Sequence, residues 1–298
     1  MIYILITALL WGTTGTVATF APGAGPLAIG SAALGIGGLL QALIAVSALR
    51  TEVAALRVRT LPIAAGALAV AIYPLAFYSS MHYAGVAIGS VVSLASAPIA
   101  SALLERFISH NPLSRRWVLA LLLGLGGSAL LCLAKLTSAP EDLLSTLWGL
   151  GLGLVAGTSY AVYSWVAHRL MGAGISRAAA MGSVFGAGGL LLLPVLILTG
   201  APLLASPQAF WVASYMALIP MFAGYLLFGC GLTRVSPSTA TTITLVEPAV
   251  ATLLAVAIVG EELSAVGWAG MVLLCAALAL LAFPQRLPAV APSPGAQP

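Results

Sequence analysis

Long apolar runs broken by short polar corners set the pattern of this chain. Runs of about 18–25 apolar residues are long enough to cross a bilayer as helices, and ten can be read. The first five are Ile2–Phe20, Pro26–Leu49, Leu61–Met81, Ala84–Phe107 and Ser114–Lys135. The second five are Thr146–Arg169, Arg177–Gly200, Gln208–Leu232, Ser238–Val259 and Ser264–Phe283. Most corners are short and rich in Gly, Pro and Ser. The longest separates the fifth span from the sixth, so the pattern predicts one five-span unit over 1–136, an outer connection over 137–145 and a second unit over 146–283. The tail 284–298 (PQRLPAVAPSPGAQP) is Pro- and Ala-rich and is expected to be disordered on the cytoplasmic side.

The two units repeat each other. Pro98 falls on Pro248 and Leu113-Ser114 on Leu263-Ser264, both at a spacing of 150 residues. Charge then gives orientation. With the N-terminus inside, Arg50, Arg57, Arg59, Arg106, Arg115, Arg116, Arg169, Arg177, Arg234 and Arg286 are cytoplasmic, and only Lys135 is outside. Ten against one fits the positive-inside rule with both termini in the cytoplasm. A duplicated unit with an odd number of spans enters the membrane upside down, which predicts an inverted repeat. The expectation is an all-α membrane protein of ten transmembrane helices in two inverted five-helix repeats. Trp117 and Trp165 near the inner boundary, and Trp148, Trp211 and Trp268 near the outer one, are placed where an aromatic belt would put them.

Composition agrees: the chain is 61% hydrophobic and 6% charged, with mean hydropathy +1.12. A soluble fold could not cover it with polar surface. Its net charge of +4 follows from loop topology, so no nucleic-acid partner is implied. Cys132, Cys230 and Cys275 lie in apolar runs without metal-like spacing, so no metal or cofactor is expected. The opening MIYILITALLW lacks a basic n-region and a cleavage signal and is expected to be the first span.

Candidate chemistry comes from the polar residues at membrane depth. HExxH, P-loop and GxSxG patterns are absent, so an enzyme is not expected. Glu247-Pro248 stands near the middle of the ninth span. A carboxylate there would cost about 2.5–3.5 kcal/mol against lipid, so it must face protein or a wet cavity. The proline beside it predicts a kink or loosened backbone. Glu247 could take up a proton, bind a substrate ammonium, or hold the kinked helix by a hydrogen bond; Thr244 is a local partner for the last role. Pro98 and Pro248 are candidate hinges. Trp11, in LLWGTTGTVATF, either lines a cavity or packs with its indole N–H on a backbone carbonyl. Tyr78 and His82 share a helical face one turn apart, as do Tyr73 and Phe77; His82 could instead be a solvated interfacial residue. Tyr160 and Tyr163 in the sixth span, and Tyr225 in the eighth, add phenols suited to a ligand with an apolar body and polar groups. Gly149–Gly153 and Gly182–Gly186 are small-residue patterns that let helices approach closely.

The runs WGTTGTV and AGTSYAVY, the small and polar fourth and ninth helices with Pro98 and Pro248, and GEELSAVGWAGMVLLCAAL resemble the EamA-type repeat of the drug/metabolite transporter superfamily. The corner Gly260-Glu261-Glu262-Leu263-Ser264 matches well; His110-Asn111-Pro112 replaces it in the first repeat. The resemblance is greatest to exporters of aromatic and other neutral amino acids. It implies a multi-pass transporter of the inner membrane whose helices 1–4 and 6–9 surround a central cavity. Helices 5 and 10 would then lie at the periphery or at an interface, where a homodimer would form. Trp11, Tyr78, His82, Tyr160, Tyr163, Tyr225 and Glu247 would stand on cavity helices. The implied partners are the lipid bilayer and a small amino-acid-like substrate moved by alternating access. A multidrug or nucleotide-type carrier is the alternative.

Overall fold

The structure is a computed structural model that describes residues 1–18, 20–21, 23–135, 143–254, 256–257 and 263–282. The acidic corner at Gly260, Glu261 and Glu262, most of the connection 137–145 and the tail 284–298 lie outside the described residues. Those described are helical, with no strand among them. We number the long rods in chain order. They are α1 (Ile2–Ala18), α2 (Pro26–Ile44), α3 (Thr60–Ala84), α4 (Val86–Ile108) and α5 (Arg115–Lys135). Then come α6 (Leu143–Gly172), α7 (Arg177–Thr199), α8 (Pro207–Leu232), α9 (237–254) and α10 (Ala265–Ala282). Two short helical turns, Val46–Thr51 and Val53–Arg57, join α2 to α3. Eight rods, α2 to α8 and α10, are long and apolar enough to cross a membrane. The first, α1, is a shorter apolar helix, and α9 is interrupted by a 3-10 turn at Thr244–Val246.

Local chemistry sets the ends of these rods. Ser176, Ser206 and Ser236 accept from the backbone N–H groups of Ala179, Ala209 and Thr239, satisfying one orphan donor at the start of α7, α8 and α9. Pro207 and Pro237 occupy the first helical position, where no N–H is needed. Gly85, at φ +81°, separates α3 from α4, and Gly174, at φ +86°, ends the turn after α6; side chains rarely adopt these conformations.

Lipid tails are as apolar as leucine, so the rods associate through close packing. The broadest contacts join α3 to α6, α4 to α6, α2 and α3 to α7, and α5 to α10. Helix α1 packs on α8 and α9, and the first turns of α9 pack on α4. Gly149, Gly153 and Gly157 form a stripe on α6 that meets the end of α3 and the face of α4 around Ser93 and Ser96. Any side chain at Gly157 would collide with the α4 backbone. Gly182 and Gly186 meet Ala45 and Ala42 in the same way.

One end of the bundle collects the arginines. Arg59 donates to Ala173 O and Glu52 accepts from Ser176 N, tying the α2–α3 corner to the α6–α7 corner. Trp165 Nε1 donates to Ser109 Oγ, Arg169 lies over the Trp165 ring, Arg234 over Tyr3, and Arg116 bonds the Leu280 carbonyl. At the opposite end Ser145 donates to Tyr83 O. Trp148, Trp211 and Trp268 are exposed on the apolar exterior, as a belt requires. Trp117 departs from that expectation. It is buried, with its indole N–H unpartnered among the described residues, because α5 turns it into the bundle.

Candidate functional site: an aromatic cavity around Glu247

The site begins with an irregularity in α8. Residues Ala217–Ala223, which include Pro220, form a π-helical segment. The N–H of Gly224 bonds Ile219 O, five residues back, and the Pro220 carbonyl accepts from Trp11 Nε1 at 2.9 Å. Gln41 Nε2 donates to Phe222 O at 3.0 Å and Thr7 Oγ1 to Gly224 O at 3.1 Å. Three side chains from α1 and α2 therefore hold the loosened backbone of α8. Gly224 is needed for this, because a Cβ there would stand 2.8 Å from Trp11 Nε1.

Around this anchor the rings assemble. The Trp11 ring centroid lies 4.8 Å from Tyr225, 5.4 Å from Phe228 and 5.8 Å from Tyr160. Tyr73 stacks on Phe77 at 5.6 Å and touches Tyr160 and Tyr163, each at 5.7 Å. Three of the phenols, which lipid cannot satisfy, find one another or a threonine. Tyr163 and Tyr225 share a hydrogen bond of 2.6 Å, and Tyr160 meets Thr244 Oγ1 at 3.1 Å.

A small cavity opens beside this cluster, lined by Trp11, Thr14, Tyr73, Tyr78, Tyr225 and Glu247, with Phe77, Pro74 and Met221 completing the wall. Its volume is about 10 Å³, room for about one water. In this conformation the site is closed, and a metabolite needs it wider. Glu247 follows directly on the 3-10 turn of α9. It is 8% exposed. Among the described residues its carboxyl accepts no hydrogen bond, and no basic side chain lines the cavity. A charged acid buried without a partner is costly.

Four of the seven side chains selected from sequence, Trp11, Tyr78, Tyr225 and Glu247, reach the cavity wall. Tyr160 and Tyr163 stand behind it, fully buried in the ring cluster. His82 does not belong. The end of α3 carries it to the exposed surface, edge-on to Tyr83 and away from the cavity lining. For Trp11 the two alternatives coincide, since it lines the cavity and bonds a carbonyl. Pro248 sits beside a broken backbone as its sequence context suggests, whereas Pro98 lies inside an unbroken helix, with α4 departing from α-geometry only at Leu104–Ile108. Sequence reasoning missed Gln41 and Glu105. Gln41 was findable as the one amide in its span, whereas Glu105 was hidden by its place beside Arg106 at a helix end.

A closed aromatic cavity around a buried acid, inside a bundle of apolar helices, fits a membrane transport protein. Residues 1–133 and 147–283 match the EamA-like transporter family, and the chain belongs to that family. The chain is 32% identical over 286 residues to the uncharacterized transporter YwfM of Bacillus subtilis (strain 168), covering 96% of this chain and 94% of the relative. A crystal structure of a protein 18% identical in sequence superposes with a TM-score of 0.76, covering 94% of this chain and 95% of that one, and so shares the fold.

Proposed function

We propose that the protein is a secondary transporter of the inner membrane that exports small amphipathic metabolites, foremost neutral and aromatic amino acids. Its ten helices would span the membrane as two inverted five-helix repeats with both termini in the cytoplasm, and the cavity would open alternately to each side. The observation that carries this reading is the Glu247 carboxyl, without a hydrogen-bond partner among the described residues, in a wall of aromatic rings. A substrate ammonium supplies the partner that Glu247 lacks, the rings receive an apolar side chain, and the Tyr78 hydroxyl donates to the substrate carboxylate, the Thr14 hydroxyl being committed to Trp11 O. With no basic side chain in the wall, a nucleotide-type anion is disfavoured. The same absence favours a second reading, in which organic cations without a carboxylate are moved.

Counterflow in proteoliposomes tests both. Labelled phenylalanine, leucine and threonine should exchange against the unlabelled amino acid, and Glu247→Gln should lower that exchange by an order of magnitude or more in folded protein. Exchange of lipophilic amines alone would transfer the conclusion to the second reading. If neither class exchanges, both readings fail.

A further inference from the structure

We infer that Glu105 is a clasp that shuts the arginine-bearing end of the cavity by holding the first turn of α9 against α4. Glu105 sits in the π-helical turn Leu104–Ile108 at the end of α4, where Arg106 and Phe107 are exposed, yet it is only 5% exposed itself. Its side chain reaches across to α9. Oε1 accepts from Ser238 N at 2.8 Å and Oε2 from Ser238 Oγ at 2.8 Å. One turn deeper along the same pair of helices, Thr241 Oγ1 lies 3.4 Å from Ser101 Oγ. Both bonds to Glu105 are charge-assisted, and the carboxylate faces the positive end of the α9 dipole.

Ser236 Oγ caps Thr239 N within α9 itself, and Glu105 takes a second orphan donor, Ser238 N, from across the interface, so the cap it provides is also a tie between two helices. Burying a carboxylate at a capped end is an expensive way to add stability, and apolar packing would hold two helices as well. What the carboxylate adds is a contact that is strong when made and, once broken, can be exchanged for water. Its position fits that use. Glu247 lies nine residues further along the same helix, about 13 Å by helical rise. The 3-10 turn Thr244–Val246 stands between them. The first turns of α9 can therefore swing from α4 while the second half of the helix keeps Glu247 in the cavity. Release of the clasp opens the cavity toward the cytoplasm; re-forming it seals that side.

The inference rests on the alternating-access reading above, so its test uses no substrate. In protein with Cys132, Cys230 and Cys275 replaced by alanine, Thr241→Cys places a thiol at a fully buried position behind the clasp. Vesicles exposing the cytoplasmic face are treated with a membrane-impermeant maleimide. Relative to Thr241→Cys alone, adding Glu105→Ala should raise the labelling rate about tenfold, because two interhelical bonds are lost from a two-state equilibrium. Adding Ser238→Ala, which removes one bond and keeps the charge, should raise it by a smaller factor. Unchanged labelling in folded Glu105→Ala protein overturns the clasp, as does a lowered melting temperature with no change in labelling, the mark of a purely structural cap. Should Glu105→Ala not fold, Ser238→Ala decides by the same criterion. If labelling rises but no amino acid or amine exchanges, the clasp stands and the proposed substrate reading falls.

Discussion

At the scale of single residues, the site depends on hydrogen bonds that lipid cannot replace. The Tyr163–Tyr225 bond of 2.6 Å joins two phenols that are otherwise enclosed by rings. Tyr163→Phe should lower the stability of the detergent-solubilised protein by about 0.6–2 kcal/mol, the range of an interhelical bond in a membrane protein, read as a shift in thermal unfolding. Gly224 presents a steric test of the same wall. Gly224→Ala would set a methyl 2.8 Å from Trp11 Nε1, closer than two such atoms can approach, so the indole must leave the Pro220 carbonyl. The expected loss is about 1–3 kcal/mol. Combining Gly224→Ala with Trp11→Phe should cost less than the sum of the two, since both act on one contact. Strict additivity would mean that the indole and the glycine are not coupled.

At the scale of elements, most of the rods were legible because each is a long apolar run, and their ends fall within a few residues of the polar corners. The irregular segments were not. Pro98 and Pro248 look equivalent in the sequence, but only Pro248 follows a 3-10 turn. The difference lies in what surrounds them. Thr244, in that turn, is held by the Tyr160 phenol from α6, and α4 has no such partner at Pro98 among the described residues. The π segment of α8 was equally hidden, because Trp11, Gln41 and Thr7 come from more than 170 residues away. Residue chemistry was therefore readable where a polar group interrupts an apolar run, as at Trp11 and Glu247. It was unreadable where helix rotation decides, as at His82 and Trp117. Restoring an N–H with Pro248→Ala should let α9 run through Thr244–Val246 as regular helix. Counterflow should then fall several-fold while binding of the same amino acid changes little. Pro98→Ala, inside a helix that is already continuous, should do less. Equal losses from both would remove the case for an asymmetric hinge.

At the scale of the whole molecule, the direction of opening depends on which end faces the cytoplasm. The arginines gather at one end through contacts between corners far apart in sequence, as with Arg59 and Ala173, Arg234 and Tyr3, and Trp165 and Ser109. Antiparallel neighbouring rods, with every second corner returning to the same end of the bundle, account for these contacts. The opposite end joins Ser145 to Tyr83, and there the described corners carry no arginine. In the proposed topology the positive-inside rule would put the arginine end, where the Glu105 contact lies, in the cytoplasm. Single cysteines in an otherwise cysteine-free protein check this in intact cells. An impermeant maleimide added outside should label Gly23→Cys and Ser206→Cys, which lie at the corners without arginine. It should reach Thr51→Cys and Gly172→Cys, beside Arg50 and Arg169, only after the membrane is permeabilised. Outside labelling of Thr51→Cys or Gly172→Cys in sealed cells would invert the molecule. Glu105 would then close the cavity toward the exterior, and the direction of export would have to be reversed with it.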